Sequence, residues 1–195
     1  FRENNLTGTI PSQIGNLVNL GVLYLDGNNL TGSIPATIAN IEFLEELDLA
    51  NNNLTGPFPE LPNSQSLFFL SVMNNQLSGP VPASFTGLSS LTALYLTNNA
   101  FTSLPDLSEL PFLASGNVSS NFLNFDALIP NASIPGFGVA PQKTAPPSVR
   151  EVSLNGPFAI SFDAGGEPDT DYSWSKIGGA AIGENSATFS VVSAG

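Results

Sequence analysis

The stretch NNLTGTIPSQIGNL, from Asn4 to Leu17, returns almost unchanged as NNLTGSIPATIANI, from Asn28 to Ile41. The second copy begins 24 positions after the first. An enzyme site rarely needs the same stretch twice, whereas a solenoid does, because each coil must stack on the previous one. The repeated stretch therefore predicts a repeat architecture.

One asparagine marks every copy of the repeat. It recurs at intervals of 22 to 24 residues within the frame L-x-x-L-x-L-x-x-N-x-L. In the second copy, leucine fills positions 20, 23, 25 and 30 around this asparagine. Regular recurrence over six copies indicates about six stacked coils. The frame asparagines are Asn4, Asn28, Asn52, Asn75, Asn99 and Asn121.

The frame resembles the leucine-rich repeat family over about residues 1–130, and linking halves such as LSGPVPASFTGL resemble its plant-type subclass. The resemblance implies an α/β-type repeat fold, a right-handed solenoid with short parallel strands on a concave face. It also implies that each strand is followed by a turn and an irregular or 3₁₀ return segment.

Each part of the frame has a physical role. Alternation predicts that Leu23 and Leu25 face the core, while Val22, Tyr24 and Asp26 face outward. The asparagine amide both donates and accepts, so it is predicted to bind turn backbone groups that lack a ladder partner. Four glycines fit a tight turn with positive φ: Gly8, Gly32, Gly56 and Gly79.

The chain is strongly acidic, with a net charge of −12. Such a field repels nucleic acid and anionic membrane surfaces. No apolar run approaches the roughly 18 residues that a membrane helix needs, so we predict neither a nucleic-acid partner nor direct membrane insertion. The chain has no cysteine and no histidine, which excludes thiolate chemistry and removes the commonest general base. The basic residues are Arg2, Lys143, Arg150 and Lys176.

The composition changes after the repeats. We predict a repeat domain at residues 1–142 that ends in a cap at 124–142, a linker at 143–147, and a separate segment at 148–195. The last segment alternates apolar residues between glycine-containing turns, which predicts short antiparallel strands. It resembles part of an immunoglobulin-like domain, a partial antiparallel β-sandwich in which Trp174 is the buried strand-C tryptophan.

Acidic residues are the candidates for chemistry. Glu45, Glu46 and Asp48 cluster on one predicted strand, but an open sheet gives too little burial for the raised carboxyl pKa that a glycosidase needs. The loop DAGGEPDTD, from Asp163 to Asp171, offers oxygen ligands for Ca²⁺, although a solvated loop is favoured. We predict no catalytic residue, no cofactor and no metal site, with calcium binding by the acidic loops left open.

The outward residues of the strands form a graded surface. Phe69 and Met73 have no core role in the frame, because Leu70 and Val72 hold the core positions. Exposed aromatic residues flanked by acidic ones are typical of a recognition surface, and the alternative is simple stacking along the sheet. The predicted ligand-binding residues are Tyr24, Asp26, Glu46, Asp48, Phe69, Ser71, Met73, Tyr95 and Thr97.

These features predict a non-enzymatic recognition or adhesion module, extracellular or at a cell surface, which binds a protein, peptide or glycan on the concave face. By resemblance, plant-type repeats serve receptors and inhibitors of this kind. The first alternative is an inhibitor or ice-binding protein that uses a regular flat face. The side chains that would form a regular row on such a face are Thr7, Thr31, Thr55 and Ser78. The second alternative is the non-catalytic part of a larger secreted enzyme.

Glycosylation is a further prediction, and it applies if the chain passes through a eukaryotic secretory route. The acceptor pattern N-x-[ST] needs an accessible asparagine on a surface segment. Three of the matches follow from the repeated NLT and are therefore weak evidence for such a route. The predicted acceptors are Asn5, Asn29, Asn53, Asn117 and Asn131.

Overall fold

The structure is a computed structural model of the 195-residue chain. It describes residues 1–143 and four later strand segments, 158–161, 173–175, 181–184 and 188–191. Short strands follow one another along the repeats and, from β1 to β10, belong alternately to two sheets. They are β1 (Thr7–Thr9), β2 (Val22–Tyr24), β3 (Asn29–Gly32), β4 (Glu46–Asp48), β5 (Asn53–Gly56), β6 (Phe69–Ser71), β7 (Gln76–Pro80), β8 (Ala93–Tyr95), β9 (Ala100–Ser103), β10 (Ser115–Asn117) and β11 (Phe137–Gly138).

The main sheet is parallel, and its strands lie in the order β11, β10, β8, β6, β4, β2. Each strand has only two or three residues, too few to be stable alone, so its hydrogen bonds come from the coils on either side. The inward residue at the centre of each strand is buried: Leu23, Leu47, Leu70, Leu94 and Gly116. The parallel-strand repeat fold that the frame implied is thereby confirmed.

The second sheet is also parallel, in the order β1, β3, β5, β7, β9. The sequence reading did not predict it, because glycine and threonine after the frame asparagine resemble a turn. Gly8, Gly32, Gly56 and Gly79 do adopt positive φ, between 73° and 85°, as predicted. The backbone groups beside them still pair with the next coil, as in the 2.9 Å hydrogen bond from the Asn29 amide to the Leu6 carbonyl.

Return segments close each coil on the side away from the main sheet. Three of them contain a 3₁₀ turn after a proline, because proline fixes φ and cannot donate within a helix. A fourth 3₁₀ turn and a single turn of α-helix belong to the cap. The 3₁₀ turns are Ser12–Asn16, Ala36–Asn40, Ala83–Gly87 and Pro130–Ser133, and the α-helix, α1, is Phe125–Leu128.

A column of asparagine amides joins the coils at the ends of the main-sheet strands. The side-chain oxygen of Asn52 accepts the Leu30 amide at 3.0 Å, and its nitrogen donates to the carbonyls of Leu25 and Leu49 at 2.9 and 3.2 Å. The same pattern repeats at Asn75 and Asn99. The predicted structural role of the frame asparagines is confirmed.

The column ends in the cap with a glutamine. The Gln142 side-chain oxygen accepts the amide of Leu123 at 3.3 Å, and its nitrogen donates to the carbonyl of Val118 at 3.1 Å. These are the contacts that the next frame asparagine would make. Gln142 therefore takes the place of a seventh asparagine while β11 adds a last strand to the main sheet.

The later strand segments form two antiparallel pairs. The strand β12 (Phe158–Ser161) pairs with β15 (Thr188–Val191), and β13 (Ser173–Ser175) pairs with β14 (Ala181–Glu184). The immunoglobulin-like sandwich stays a prediction, since the burial of the Trp174 side chain and the loop at 163–171 lie outside what the structure describes.

Candidate ligand-binding face

The register of the main sheet sorts its outward side chains into three rows. Strand pairing places equivalent positions side by side, one coil apart. Residues just past the strands continue this order through backbone hydrogen bonds such as Gly27 to Ala50 and Asn51 to Met73. The rows are Val22, Glu46, Phe69, Ala93, Ser115; then Tyr24, Asp48, Ser71, Tyr95, Asn117; then Arg2, Asp26, Ala50, Met73, Thr97, Ser119.

An aromatic patch occupies the centre of this face. The rings of Phe69 and Tyr95 lie 6.0 Å apart between centroids at an interplanar angle of 47°. The Tyr95 hydroxyl is 2.8 Å from the Ser115 hydroxyl. Both rings and Met73 are half-buried. Their apolar surface therefore stays in contact with solvent on the outward side of the sheet, which does not pack against the core. We call Phe69, Met73 and Tyr95 the aromatic patch.

An acidic site lies at the end of the face formed by the first coils. The Arg2 guanidinium binds two carboxylates, through Nε to Asp26 at 2.8 Å and through Nη2 to Asp48 at 3.3 Å. Its Cζ lies 4.4 Å from the centroid of the Tyr24 ring, and the Tyr24 hydroxyl donates to the Glu46 carboxylate. We call Tyr24, Asp26, Glu46 and Asp48 the acidic site.

Burial and hydrogen bonding perturb the ionisation of this site. Burial raises the pKa of Asp48 above its ordinary value, and the amide of Ala50, which donates to its carboxylate at 3.1 Å, acts in the opposite direction. The hydrogen bond to Glu46 raises the pKa of Tyr24, because the phenolate would lose its donor beside a negative charge. The hydrogen bond to Asp26 raises the pKa of Arg2.

Three of the nine predicted contact residues lie deeper than expected. The prediction that Asp26, Asp48 and Ser71 face solvent is wrong, since they are 7%, 6% and 2% exposed. Arg2 covers the two aspartates from the neighbouring coil, and larger side chains flank Ser71 in its row. The structure keeps the other six partly accessible: Tyr24, Glu46, Phe69, Met73, Tyr95 and Thr97.

One glycosylation prediction is also wrong. The Asn131 side chain is fully buried, accepts the amide of Leu107 at 2.9 Å and donates to the carbonyls of Pro105 and Ala127. A glycan cannot be attached there without breaking these bonds. Glycosylation stays a prediction at the half-buried Asn117 and at the exposed Asn5, Asn29 and Asn53.

The sequence reading missed two features of the face. It gave Arg2 no role, although counting back two residues from the frame asparagine places Arg2 in the third row. It also missed an exposed chain of amides along the edge of the face, where Asn74 donates to Asn51 at 2.7 Å and Asn98 donates to Asn74 at 3.2 Å. These asparagines have φ of 55° to 56°, and the signal was an asparagine directly before the frame asparagine.

The leucine-rich repeat family model matches residues 19–41 and 43–64, which include the strands β2 and β4. The chain contains leucine-rich repeats. The match falls on the copies in which the frame is most complete, and the same strand spacing continues in the structure through β10. The comparison with curated proteins found no match.

Solved structures of plant receptors share this repeat fold. A plant peptide hormone receptor, RGFR1 in complex with RGF2, is 33% identical over 62% of this chain and 20% of its own, with a TM-score of 0.58. A TDR receptor is 32% identical over 73% of this chain and 26% of its own, with a TM-score of 0.66. The leucine-rich repeat ectodomain of the receptor kinase SOBIR1 from Arabidopsis thaliana is 28% identical over 71% and 72%, with a TM-score of 0.57.

The extent of these matches differs between the chains. The chain spans only 20% of the RGFR1 structure and 26% of the TDR structure. Within the part of the chain that the structure describes, no helix has the length and apolar character to cross a membrane. The described residues also contain no group of acidic side chains arranged to hold a metal ion.

Proposed function

We propose that the chain is an extracellular recognition module that binds a peptide or protein ligand across the main sheet. The observation that carries the proposal is the aromatic patch, because Phe69, Met73 and Tyr95 keep apolar surface in solvent where the repeat frame needs none. Aromatic residues at the centre of a surface are the usual anchors of binding energy. The likeness to RGFR1, a plant peptide hormone receptor, supports a peptide as the ligand.

The proposed contacts divide by depth. Tyr24, Glu46 and Thr97 join the aromatic patch as groups that touch the ligand, while Asp26, Asp48 and Ser71 support them from below. Adjacent strands of a sheet lie about 4.8 Å apart. The five main-sheet strands β2, β4, β6, β8 and β10 therefore span a distance that about six residues of extended peptide cover at about 3.3 Å per residue.

The test is a binding array of secreted peptides, surface proteins and glycans, probed with the wild-type chain and with Phe69→Ala/Tyr95→Ala. We expect a peptide or protein ligand whose binding falls at least tenfold in the double variant. The matched control is Phe43→Ala/Phe112→Ala, which removes two exposed rings outside the strand rows and should leave binding unchanged. Equal binding by wild type and the aromatic-patch variant would refute the proposal, and a glycan hit would redirect the ligand class.

The domain organisation is part of the proposal. We infer a repeat domain at 1–142, a linker at 143–147 and an immunoglobulin-like segment at 148–195. The cap supports the first boundary, since Gln142 completes the asparagine column and Lys143 donates to the Asn99 carbonyl at 2.6 Å. The recognition module then folds without the residues beyond 143.

The threonine row considered for an ice-binding surface is not continuous in the second sheet. Thr7, Thr31 and Thr55 are exposed on neighbouring parallel strands, but the register pairs Thr7 with Asn29, Thr31 with Asn53 and Thr55 with Gln76. The second sheet therefore offers no regular hydroxyl row in support of the ice-binding alternative.

A further inference from the structure

Two phenylalanines lie exposed along the edge at which the coils enter the main sheet. Phe43 and Phe112 each come directly before the first frame leucine of a coil, and they are 59% and 62% exposed. The frame does not require an aromatic ring at this position, so both rings keep apolar surface in solvent without a core role. The equivalent residues of three other coils are Asn19, Ser66 and Ser90.

A third, half-buried phenylalanine lies in a coil between them. Phe68 belongs to a ladder of backbone hydrogen bonds along this edge, in which its amide donates to the Glu45 carbonyl and the Thr92 amide donates to its carbonyl, each at 2.9 Å. The ladder continues to Ala114, whose amide donates to the Thr92 carbonyl at 3.2 Å. The edge therefore runs from the coil of Phe43 to the coil of Phe112 over three inter-strand steps, or about 14 Å.

A groove opens at one end of this edge, between the fifth coil and the cap. Its volume is about 280 Å³, below the roughly 300–1,000 Å³ of sites for small molecules. The groove therefore suits a large apolar side chain of a partner better than a separate small ligand. The apolar residues that line it are Leu110, Pro111, Phe112, Ile134 and Pro135.

The charged side chains beside these rings are acidic. Glu42 directly precedes Phe43, Glu45 lies next to Phe68 in the ladder, and Glu109 lies near the groove in the sequence; all three glutamates are exposed. The sequence contains no lysine or arginine from Glu3 to Gln142, so no cation of these coils offsets the negative charge. Like charges that face each other across an interface are unfavourable, which disfavours an acidic partner and the same edge of a second copy.

We propose that this edge is a second binding surface, which takes an extended segment of a partner protein with an apolar centre and a lysine or arginine at each end. We call Phe43, Phe68, Phe112 and the groove the entry edge. Its rings and groove bind the apolar residues of the segment, and the glutamates bind the basic ends. About five residues of extended chain cover the distance from Phe43 to Phe112. The aromatic patch takes no part in this contact.

The experiment uses three acetylated and amidated peptides: Lys-Leu-Phe-Leu-Lys, Glu-Leu-Phe-Leu-Glu and Lys-Ser-Ser-Ser-Lys. Their binding to the wild-type chain is measured by calorimetry at an ionic strength of about 0.15 M, where screening weakens general attraction to an acidic protein. We expect the first peptide, the probe, to bind about tenfold more tightly than either of the others. Equal affinity for the two lysine-containing peptides would overturn the inference, because net charge alone would then explain the binding.

Paired variants locate the surface. Phe43→Ala/Phe112→Ala should weaken binding of the probe about tenfold, whereas Phe69→Ala/Tyr95→Ala, which removes two rings from the aromatic patch, should leave it unchanged. Equal losses in the two double variants would contradict the assignment.

A second pair tests the charge. Glu109→Gln should reduce the preference for the probe over the glutamate peptide, and Glu60→Gln, which changes an exposed carboxylate of the third coil, should preserve it. A preference that is the same in both variants would remove the charged part of the proposal.

A measurement on the wild-type chain keeps the test valid if a variant fails to fold. In this experiment benzoylphenylalanine replaces the phenylalanine of the probe, and its photochemical cross-links are located by mass spectrometry. We expect cross-links to residues that line the groove, within 108–114 and 133–135. Cross-links found only elsewhere in the chain would overturn the inference.

The outcomes separate this inference from the proposed function. If an array ligand loses binding in Phe69→Ala/Tyr95→Ala while the probe binds no better than the serine peptide, the recognition face stands and the entry edge is refuted. If the probe loses binding only in Phe43→Ala/Phe112→Ala while the array stays blank, the entry edge is supported and the proposed function is refuted.

Discussion

At the scale of single residues, the frame asparagines are the most constrained positions in the chain. The Asn75 side chain serves three buried backbone groups, the amide of Leu54 and the carbonyls of Leu49 and Val72. Asn75→Ala removes the side-chain acceptor of the Leu54 amide, while the carbonyls of Leu49 and Val72 keep the amide groups of Asn52 and Asn99 as donors. A buried unsatisfied group costs about 1–3 kcal/mol, so we expect a loss of about 1–3 kcal/mol in the free energy of unfolding, measured by urea denaturation.

The neighbouring residue provides the control for that measurement. Gln76→Ala changes an exposed side chain of the same strand region, and surface changes of this kind stay within about 0.5 kcal/mol. Equal stability of Asn75→Ala and Gln76→Ala would mean that water replaces the asparagine amide inside the column.

Two carboxylates predict opposite responses to pH. Burial raises the folded-state pKa of Asp48, so its contribution to stability is present below its ordinary pKa of 3.8 and is lost as pH rises through the folded pKa. Hydrogen bonds from the Ser84 side chain and amide lower the pKa of Glu60, so its contribution is present above 4.5 and is lost as pH falls. We would measure the free energy of unfolding by urea denaturation between pH 2.5 and 7. The stability of wild type minus that of Asp48→Asn should fall as pH rises, whereas the stability of wild type minus that of Glu60→Gln should rise. Two slopes of the same sign would contradict this assignment.

At the scale of elements, the junction between β10 and the cap depends on a residue without a side chain. A Cβ at Gly116 would collide with the Leu94 carbonyl oxygen and lie 2.6 Å from the Phe137 ring. Gly116→Ala therefore has to separate β10 from β8 or β11, and we expect a loss of about 3 kcal/mol in unfolding free energy, at the upper end of the range for overpacked core positions.

A second glycine gives the matched control for this change. Gly87 ends the third 3₁₀ turn, and a Cβ there would meet nothing within 4 Å. Gly87→Ala should change stability by less than about 1 kcal/mol, and its sign is set by the lower entropy of the unfolded chain. Similar losses in both variants would show that glycine flexibility, rather than close packing at β10, explains the effect.

The elements also show which parts of the fold are readable in the sequence. The main-sheet strands follow from strict alternation, since Leu23 and its equivalents have no other way to reach the core. The second sheet was missed because its strands are defined by backbone bonds between coils, and a glycine with positive φ locally contradicts a strand. Gln142 was missed because it replaces asparagine with a longer side chain that carries the same amide.

At the scale of the whole molecule, the sequence predicted where the candidate face lies, but it did not predict how deeply the individual side chains of that face are buried. The frame alone placed Tyr24, Glu46, Phe69 and Tyr95 on one surface, because the repeat period fixes which residues become neighbours. The burial of Asp48 depends on Arg2, which lies 46 positions away in the sequence. A period shows which rows exist, but it does not show which long side chain folds over its neighbour.

The last prediction concerns how far the repeats can stand alone. In a stacked array each coil contacts only its neighbours, so an uncapped end leaves core side chains in water. The cap buries Leu113, Val118 and Leu123 with its own Ile134 and Phe137. Residues 1–143 should therefore unfold in one cooperative thermal transition. A chain that ends at residue 123 should lose several kcal/mol and bind hydrophobic dye, because each large apolar side chain that returns to water costs about 1.5–3 kcal/mol. If the two truncated chains melted at the same temperature, the cap would contribute nothing to the core and the boundary at 142 would have no physical basis.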